Sequence, residues 1–222
     1  MNPSLSVVIP AHNEEDCIKN TLEDLCHTLG KESIDFEVIV VNDHSTDTTG
    51  SILNRISQEN PRVKIFDNTE PNGYGFTVRT GFRHCQGDWV AVMMADASDD
   101  PKDLVRFFRE ANIKGTDAVF GNRFARGGKV VDYPTFKLLL NRLTNWIICL
   151  LFAIQYSDVT NAFKLYRNTT ISGLEPFLSH HFNLTVELPL KVIVRGYSYT
   201  VLPNSWHNRK SGISKLKIKE MG

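Results

Sequence analysis

Over the first 120 residues, short continuous apolar runs alternate with segments of helical period, and no other feature restricts the fold as much. Leu5–Pro10, Phe36–Val41, Val63–Phe66, Trp89–Met94 and Ala118–Phe120 read as strands. Between them lie four helical segments. Glu14–Leu29 has Ile18, Leu22, Leu25 and Leu29 at helical spacing, and Asp47–Ile56 has Ser45 or Thr46 as its N-cap. Gly75–His84 follows a Gly-rich turn, and Pro101–Ala111 carries Pro in its first turn. Strands that are apolar at every residue, not at every second one, are buried on both faces. The expected fold is therefore α/β, a mainly parallel central sheet flanked by helices. With 222 residues, about 150 per domain, and no repeat or linker, one domain over 1–222 is the simplest organisation.

Ligands of such sheets bind beyond the carboxyl ends of the strands. The segments to weigh are therefore His12–Glu15, Asn42–Ser45, Asn72–Gly75, Ala95–Asp100 and Gly121–Phe124. Glu14, Glu15, Asp43, Asp96, Asp99 and Asp100 fall within them. Carboxylates gathered at one sheet edge repel unless a cation or donor groups compensate. Oxygen ligands suit Mg²⁺ or Mn²⁺ bridging a diphosphate. Favourable charge at a helix N-terminus explains Glu14, Glu15 and Asp47 equally well; it explains Asp43 and Asp96 less well. Asn72-Gly-Tyr-Gly75 lacks the third glycine of a dinucleotide fingerprint and follows the third strand, and no P-loop or G-x-S-x-G is present.

The second half differs. Thr135–Ile154 reads as a long helix with Phe136, Leu139, Leu143, Ile147, Leu150 and Ile154 along one stripe, ending in nine consecutive apolar residues from Trp146. Two readings stay open: a core helix, or one lying on a membrane surface with Trp at the interface. No apolar run reaches about 18 residues, so no complete transmembrane helix is expected, and no basic secretory leader is visible at Met1–Ser6. Val159–Tyr166 and Tyr197–Val201 read as strands joined by a helix over Leu184–Val194. Cys17, Cys26, Cys85 and Cys149 are scattered, which favours reduced thiols over a zinc site. His180-His181 reads as a surface feature near a helix start. The formal net charge is zero, yet residues 1–111 carry 10 basic and 19 acidic side chains and residues 112–222 carry 15 and 6. An acidic half thus faces a basic one, which suits a cation or base pocket on one side and an anion on the other.

Taken in order, these segments resemble glycosyltransferase family 2. The motifs are Val7-Val-Ile-Pro-Ala-His-Asn-Glu-Glu15, Val40-Val-Asn-Asp-His-Ser-Thr-Asp47, Asn72-Gly-Tyr-Gly75, Met93-Met-Ala-Asp96 with Pro101, and Gly121-Asn-Arg-Phe124. Asp158-Val-Thr-Asn-Ala-Phe163, Glu187 and Asn208-Arg-Lys-Ser-Gly-Ile-Ser-Lys215 are similar to the dolichol-phosphate mannose synthase branch. The resemblance implies a GT-A nucleotide-diphospho-sugar fold. Residues 1–120 would form the nucleotide-sugar half, and 121–222 the acceptor half with an interfacial helix over 135–154. It also implies inverting transfer of one sugar from a GDP- or UDP-linked donor to a polyprenyl phosphate, by a peripheral enzyme on the cytosolic membrane face with no nucleic-acid partner.

By that resemblance Pro10, His12 and Glu14 line the nucleoside pocket, with Asp43 on base or ribose. Asp96 matches the second Asp of the family's D-x-D metal motif, but the first falls on Met94, and a thioether is a poor ligand for a hard cation. The Mg²⁺ or Mn²⁺ site is then Asp96 with diphosphate and water, or is rebuilt with Ser98, Asp99 or Asp100. Arg123 and Arg142 match an acceptor-phosphate clamp of two bidentate arginines, and Glu187 orients one of them. Arg209 and Lys215 match a segment that closes over the donor diphosphate. The basic residues Lys210, Lys215, Lys217 and Lys219 suit an anionic membrane surface. A phosphate monoester with a second pKa near ~6 attacks without a general base, whereas a saccharide or protein hydroxyl needs a carboxylate, here Asp96, Asp99 or Asp100. The alternatives are such a hydroxyl acceptor, or a sugar-nucleotide-binding module that lost catalysis with Met94.

Overall fold

The computed structural model describes residues 4–208. Its strands are β1 (Leu5–Ala11), β2 (Phe36–Asn42), β3 (Val63–Asp67), β4 (Trp89–Val92), β5 (Ala118–Asn122), β6 (Lys129–Val131), β7 (Lys164–Arg167), β8 (Tyr199–Pro203) and β9 (Ser205–His207). Its helices are α1 (Ile18–Lys31), α2 (Thr49–Glu59), α3 (Tyr74–His84), α4 (Pro101–Lys114), α5 (Thr135–Phe152), α6 (Asn168–Gly173) and α7 (Leu184–Val194). Seven strands form one sheet in the order β3-β2-β1-β4-β7-β5-β8, and β6 pairs with β9 beside it. All pairs in the large sheet are parallel except those of β7, which runs antiparallel to both β4 and β5.

The continuous apolar runs feed two core layers. Val7 and Ile9 of β1 point to one face, with Leu22 and Leu25 of α1 and Leu104 and Phe107 of α4. Val8 points to the other, with Val78 and Phe82 of α3 and Leu184 and Leu188 of α7. This is the period-two alternation of a strand covered on both sides. The sheet order reverses at β1, whose neighbours are β2 and β4. A crevice therefore opens beyond the carboxyl ends of these strands, where open α/β sheets bind ligands.

Several boundaries differ from the sequence reading, each for a local reason. The first helix starts at Ile18, because Asn13 takes a left-handed φ of 52° and Glu14 closes a separate turn onto Cys17. The second starts at Thr49, whose N–H donates to Asp47 Oδ1 at 2.9 Å, so neither Ser45 nor Thr46 is its cap. α4 follows expectation at its start: Asp100 caps it through the Lys102 N–H, and Gly115 closes it in the left-handed conformation. The strand expected over Val159–Tyr166 is confined to Lys164–Arg167. The residues before it form a loop whose polar side chains turn inward.

α5 reverses the usual helix polarity. Among its residues only Asn145 is buried, while Phe136, Leu139, Trp146, Leu150 and Leu151 are all more than 60% exposed. Its inner side is held by polar hooks. Asn141 Nδ2 and Asn145 Nδ2 both donate to Thr160 Oγ1 at 2.9 Å, and the Thr160 N–H donates to Asn145 Oδ1 at 3.1 Å. The core-helix reading therefore does not hold. Length and apolar composition set a minimum for a helix that could span a bilayer. α5 reaches that threshold by length and composition once its interspersed polar residues are counted, and it is the only described helix that does.

Candidate active site

The crevice is built by loops that lock one another. Asn13 Oδ1 accepts the N–H groups of Thr46 (2.6 Å) and Asp47 (3.3 Å), and Glu15 Oε2 accepts that of Thr48 (2.9 Å). The Glu14 N–H donates to Thr49 Oγ1 at 2.8 Å. These bonds tie the loop after β1 to the loop after β2. Asn13, His44 and Ala97 all adopt left-handed backbone, with φ of 52°, 56° and 57°. Asn and His tolerate that region; Ala does not favour it, and such strain concentrates at functional sites.

Asp43 links the loops that follow β1, β2 and β3. It is buried at the end of β2, its N–H donates to the Ala11 carbonyl, and its own carbonyl accepts from His12 Nδ1 at 2.5 Å. A carbonyl oxygen can only accept, so Nδ1 is the donor in that contact. The Asp43 carboxylate accepts from Asn68 Nδ2 (2.7 Å) and from the Gly73 N–H (3.0 Å). Its expected partner, a base or ribose, would therefore meet a carboxylate that already orients the Asn72–Gly75 turn. Asn68 had no motif to mark it, and only the fold brings it here. Pro10, His12 and Glu14 are half-buried, at the end of β1 and in the loop after it.

The segment after β4 carries the candidate metal ligands. Asp96 is 8% exposed and its Oδ1 accepts the Ser98 N–H at 3.1 Å. Ser98 is buried, and its Oγ has no hydrogen-bond partner. Asp99 Oδ2 accepts the N–H of Met94 at 3.1 Å. Burial pushes the Asp99 carboxyl up to about 7, with Asp96 and Asp103 adding to the rise against the Met94 N–H and Arg123. Asp100 is spent as the cap of α4. Among the described residues no three His, Cys, Asp or Glu side chains converge as a metal cage. The donor set, one buried carboxylate beside an orphaned hydroxyl, still fits a hard cation of the Mg²⁺ type. Such an ion is commonly held by one or two carboxylates, with substrate phosphates and water completing the shell.

Just past β5, Arg123, 7% exposed, meets Asp158, which is fully buried. Arg123 Nε and Nη2 meet the two carboxylate oxygens at 2.9 and 2.7 Å, and its backbone N–H adds a third bond at 2.8 Å. Desolvation opposes the charge on Arg123, but Asp158 outweighs it and raises the pKa. Arg142, exposed on α5, lies over the Phe124 ring at 4.5 Å from its centroid, and Arg123 lies 5.4 Å from the same ring. The structure thus brings the two expected arginines to one aromatic side chain. Asp158 already fills the Nε and Nη2 edge of the Arg123 guanidinium, so what is left for a ligand is its Nη1 end.

The loop carrying Asp158 is held from beneath by Lys164. This buried ammonium donates to the carbonyls of Val159 (3.0 Å), Asn161 and Thr185 (3.2 Å). Burial pulls its pKa down to about 7. Glu187 orients neither arginine. Its carboxylate binds Lys191 and the N–H groups of Leu178 and Ser179. Arg209 and Lys215, expected over the donor diphosphate, lie outside the described residues, as do Lys210, Lys217 and Lys219.

Comparison with known proteins identifies the lineage and the fold. The sequence profile described as Glycosyl transferase family 2 matches residues 6–183. A dolichol-phosphate mannosyltransferase of Pyrococcus furiosus is 28% identical over 220 residues, covering 97% of this chain and 60% of that one. This chain therefore spans less than two thirds of that relative. A polyprenol monophosphomannose synthase of Mycolicibacterium smegmatis is 26% identical over 221 residues, covering 95% and 80%. Among solved structures, glucosyl-3-phosphoglycerate synthase of Mycobacterium tuberculosis with Mn²⁺, UDP and glucosyl-3-phosphoglycerate superimposes with a TM-score of 0.73 at 15% identity, over 96% of this chain and 74% of that one. The same enzyme with Mg²⁺ and UDP gives 0.71 at 15% identity, over 100% and 75%. These likenesses show the GT-A fold, and a family profile running from β1 to the start of α7 shows the lineage: the chain belongs to glycosyl transferase family 2, a family of glycosyltransferases.

Proposed function

We propose that the chain transfers one sugar, with inversion, from a nucleoside-diphosphate sugar to a polyprenyl phosphate at the cytosolic face of a membrane. One observation carries the acceptor class. The exposed helix α5 bears Arg142, which shares the Phe124 ring with Arg123, and the same helix exposes Phe136, Leu139, Trp146 and Leu150. A cationic site continuous with an apolar helix face fits a ligand with a phosphate head and a hydrocarbon tail. Trp146 is the residue type that settles at a membrane interface. The names of the Pyrococcus and Mycolicibacterium relatives support the same acceptor.

The chemistry asks little of the protein beyond placement. A phosphate monoester is largely dianionic at neutral pH, with its second pKa near ~6, so its oxygen attacks the anomeric carbon without a general base. Arg123, rigid on Asp158, and exposed Arg142 orient that phosphate. His12, Asp43 and the Gly73–Gly75 turn shape the nucleoside pocket. Asp96 and Ser98 would hold Mg²⁺ or Mn²⁺, which when bound neutralises charge developing on the leaving diphosphate. Rate enhancement then rests on in-line positioning in a crevice shielded from water.

The test is an assay with a polyprenyl phosphate and a panel of radiolabelled GDP- and UDP-sugars, followed by solvent extraction. A labelled lipid product with one donor is expected. No lipid-linked product with any donor sinks the reading.

A further inference from the structure

The donor-side turn Asn72–Gly75 is overlain by a segment from the other half of the chain. The His180 carbonyl accepts the Phe76 N–H at 3.3 Å, and the His180 imidazole stacks on the Phe76 ring with centroids 4.6 Å apart and planes at 8°. Arg79 Nη1 donates to the Phe177 carbonyl at 3.3 Å. A Cβ added to Gly75 would stand 2.4 Å from the Ser179 carbonyl oxygen, and one on Gly73 would stand 2.7 Å from that of His180. The two glycines are therefore required by this crossing of backbone over backbone, and not only by the ligand below.

Glu187 on α7 holds the crossing segment in place. Its Oε1 accepts the Leu178 N–H at 2.9 Å and its Oε2 accepts the Ser179 N–H at 2.7 Å, while Lys191 Nζ lies 2.6 Å from Oε1. A carboxylate bound by two backbone N–H groups and an ammonium is a charge-assisted clamp. On the far side of the same turn, the Gly73 N–H donates to Asp43 Oδ2 at 3.0 Å. The chain of contacts runs Glu187, Ser179–His180, Gly73–Gly75, Asp43. α7 also carries Thr185, whose carbonyl accepts from Lys164 beneath the Asp158 loop. One helix therefore braces both the donor turn and the acceptor loop.

We propose that Glu187 is a positioning residue for the donor: by fixing residues 177–182 over the Gly73–Gly75 turn, it sets that turn against Asp43. The inference rests on the reading of the Asp43 pocket as the nucleotide site. Glu187→Gln keeps the shape but opposes one backbone N–H with an amide N–H.

The test is calorimetry of GDP and of UDP, each with Mn²⁺, on the wild type, Glu187→Gln and Asp43→Ala. Glu187→Gln is expected to weaken the bound nucleotide about tenfold, the scale of one charge-assisted hydrogen bond. In turnover the donor KM rises while the acceptor KM stays put, a split that general loss of stability does not produce. A second measurement needs no variant. By reciprocity, nucleotide binding slows hydrogen exchange at the Leu178 and Ser179 amides. Wild-type affinity in Glu187→Gln, with binding lost in Asp43→Ala, overturns the inference and leaves the pocket reading intact; unchanged exchange at those amides overturns it too. A wild type that binds neither nucleotide overturns the pocket reading and this inference together.

Discussion

Arg123 and Asp158 form a buried, two-pronged ion pair, and the carboxylate of that pair has no exposed surface. Both residues belong to the second half of the chain: Asp158 lies in the loop before β7, and Arg123 follows β5, which pairs with β7. Arg123 is thus preset in one orientation before any ligand arrives.

Breaking the pair on one side strands a buried charge. Asp158→Ala is expected to cost about 3–5 kcal/mol in urea unfolding, the range for an uncompensated buried partner. The double variant Asp158→Ala with Arg123→Met recovers much of that loss, because no charge is then left unpaired. A double variant as unstable as the single one would show that the loop needs Asp158 for another reason.

Asp96 stands at the centre of the proposed metal site. Asp96→Ala is expected to lower kcat by at least about 10²-fold, the scale for removing one preorganised electrostatic contact to developing charge. Chelation is expected to abolish transfer in the wild type, and added Mn²⁺ or Mg²⁺ to restore it. Full activity in Asp96→Ala removes this residue from the site.

Glu187 links folding to pH. Burial alone would raise its pKa, but Lys191 and the Ser179 and Leu178 donors hold it at about 2, below its ordinary 4.5. The group therefore adds stability that is fully present above pH 4.5 and is lost as pH falls towards about 2. Thermal melts across that window should show a flatter profile for Glu187→Gln than for the wild type. Parallel profiles would show that other carboxylates carry the acid sensitivity.

The polarity of α5 separates anchoring from stability. Trp146→Glu with Leu150→Glu is expected to abolish flotation with anionic vesicles and to change unfolding free energy by no more than about 0.5 kcal/mol, since both residues are exposed. Asn145→Ala should do the reverse to stability. It removes the hooks to Thr160 and costs about 1–3 kcal/mol. Vesicle binding unaltered by the two glutamates would end the interfacial reading.

Much of the donor half was legible in the sequence because its strands are apolar at every position, and its helices repeat Ile18, Leu22, Leu25 and Leu29 on one face. The same reasoning failed where polar groups turn inward. The Val159–Tyr166 segment has strand composition, yet Thr160 and Asn161 bond to α5 and to the Gly121 carbonyl instead of a ladder. α5 looks like core by its apolar stripe, yet it docks through Asn141 and Asn145.

Read alone, the chain already carries the mainly parallel α/β core, the order of the motifs and the family. These depend on side-chain type and spacing along the chain, which periodicity and composition record directly. The pairings emerge only in the folded chain. Arg123 meets Asp158 across 35 positions, Asn68 meets Asp43 across 25, and Glu187 braces a turn more than a hundred residues before it. An unpaired Arg, Asn or Glu in a sequence carries no mark of its partner. The partner is set by which strands become neighbours and by the requirement that each buried charge find a compensating group.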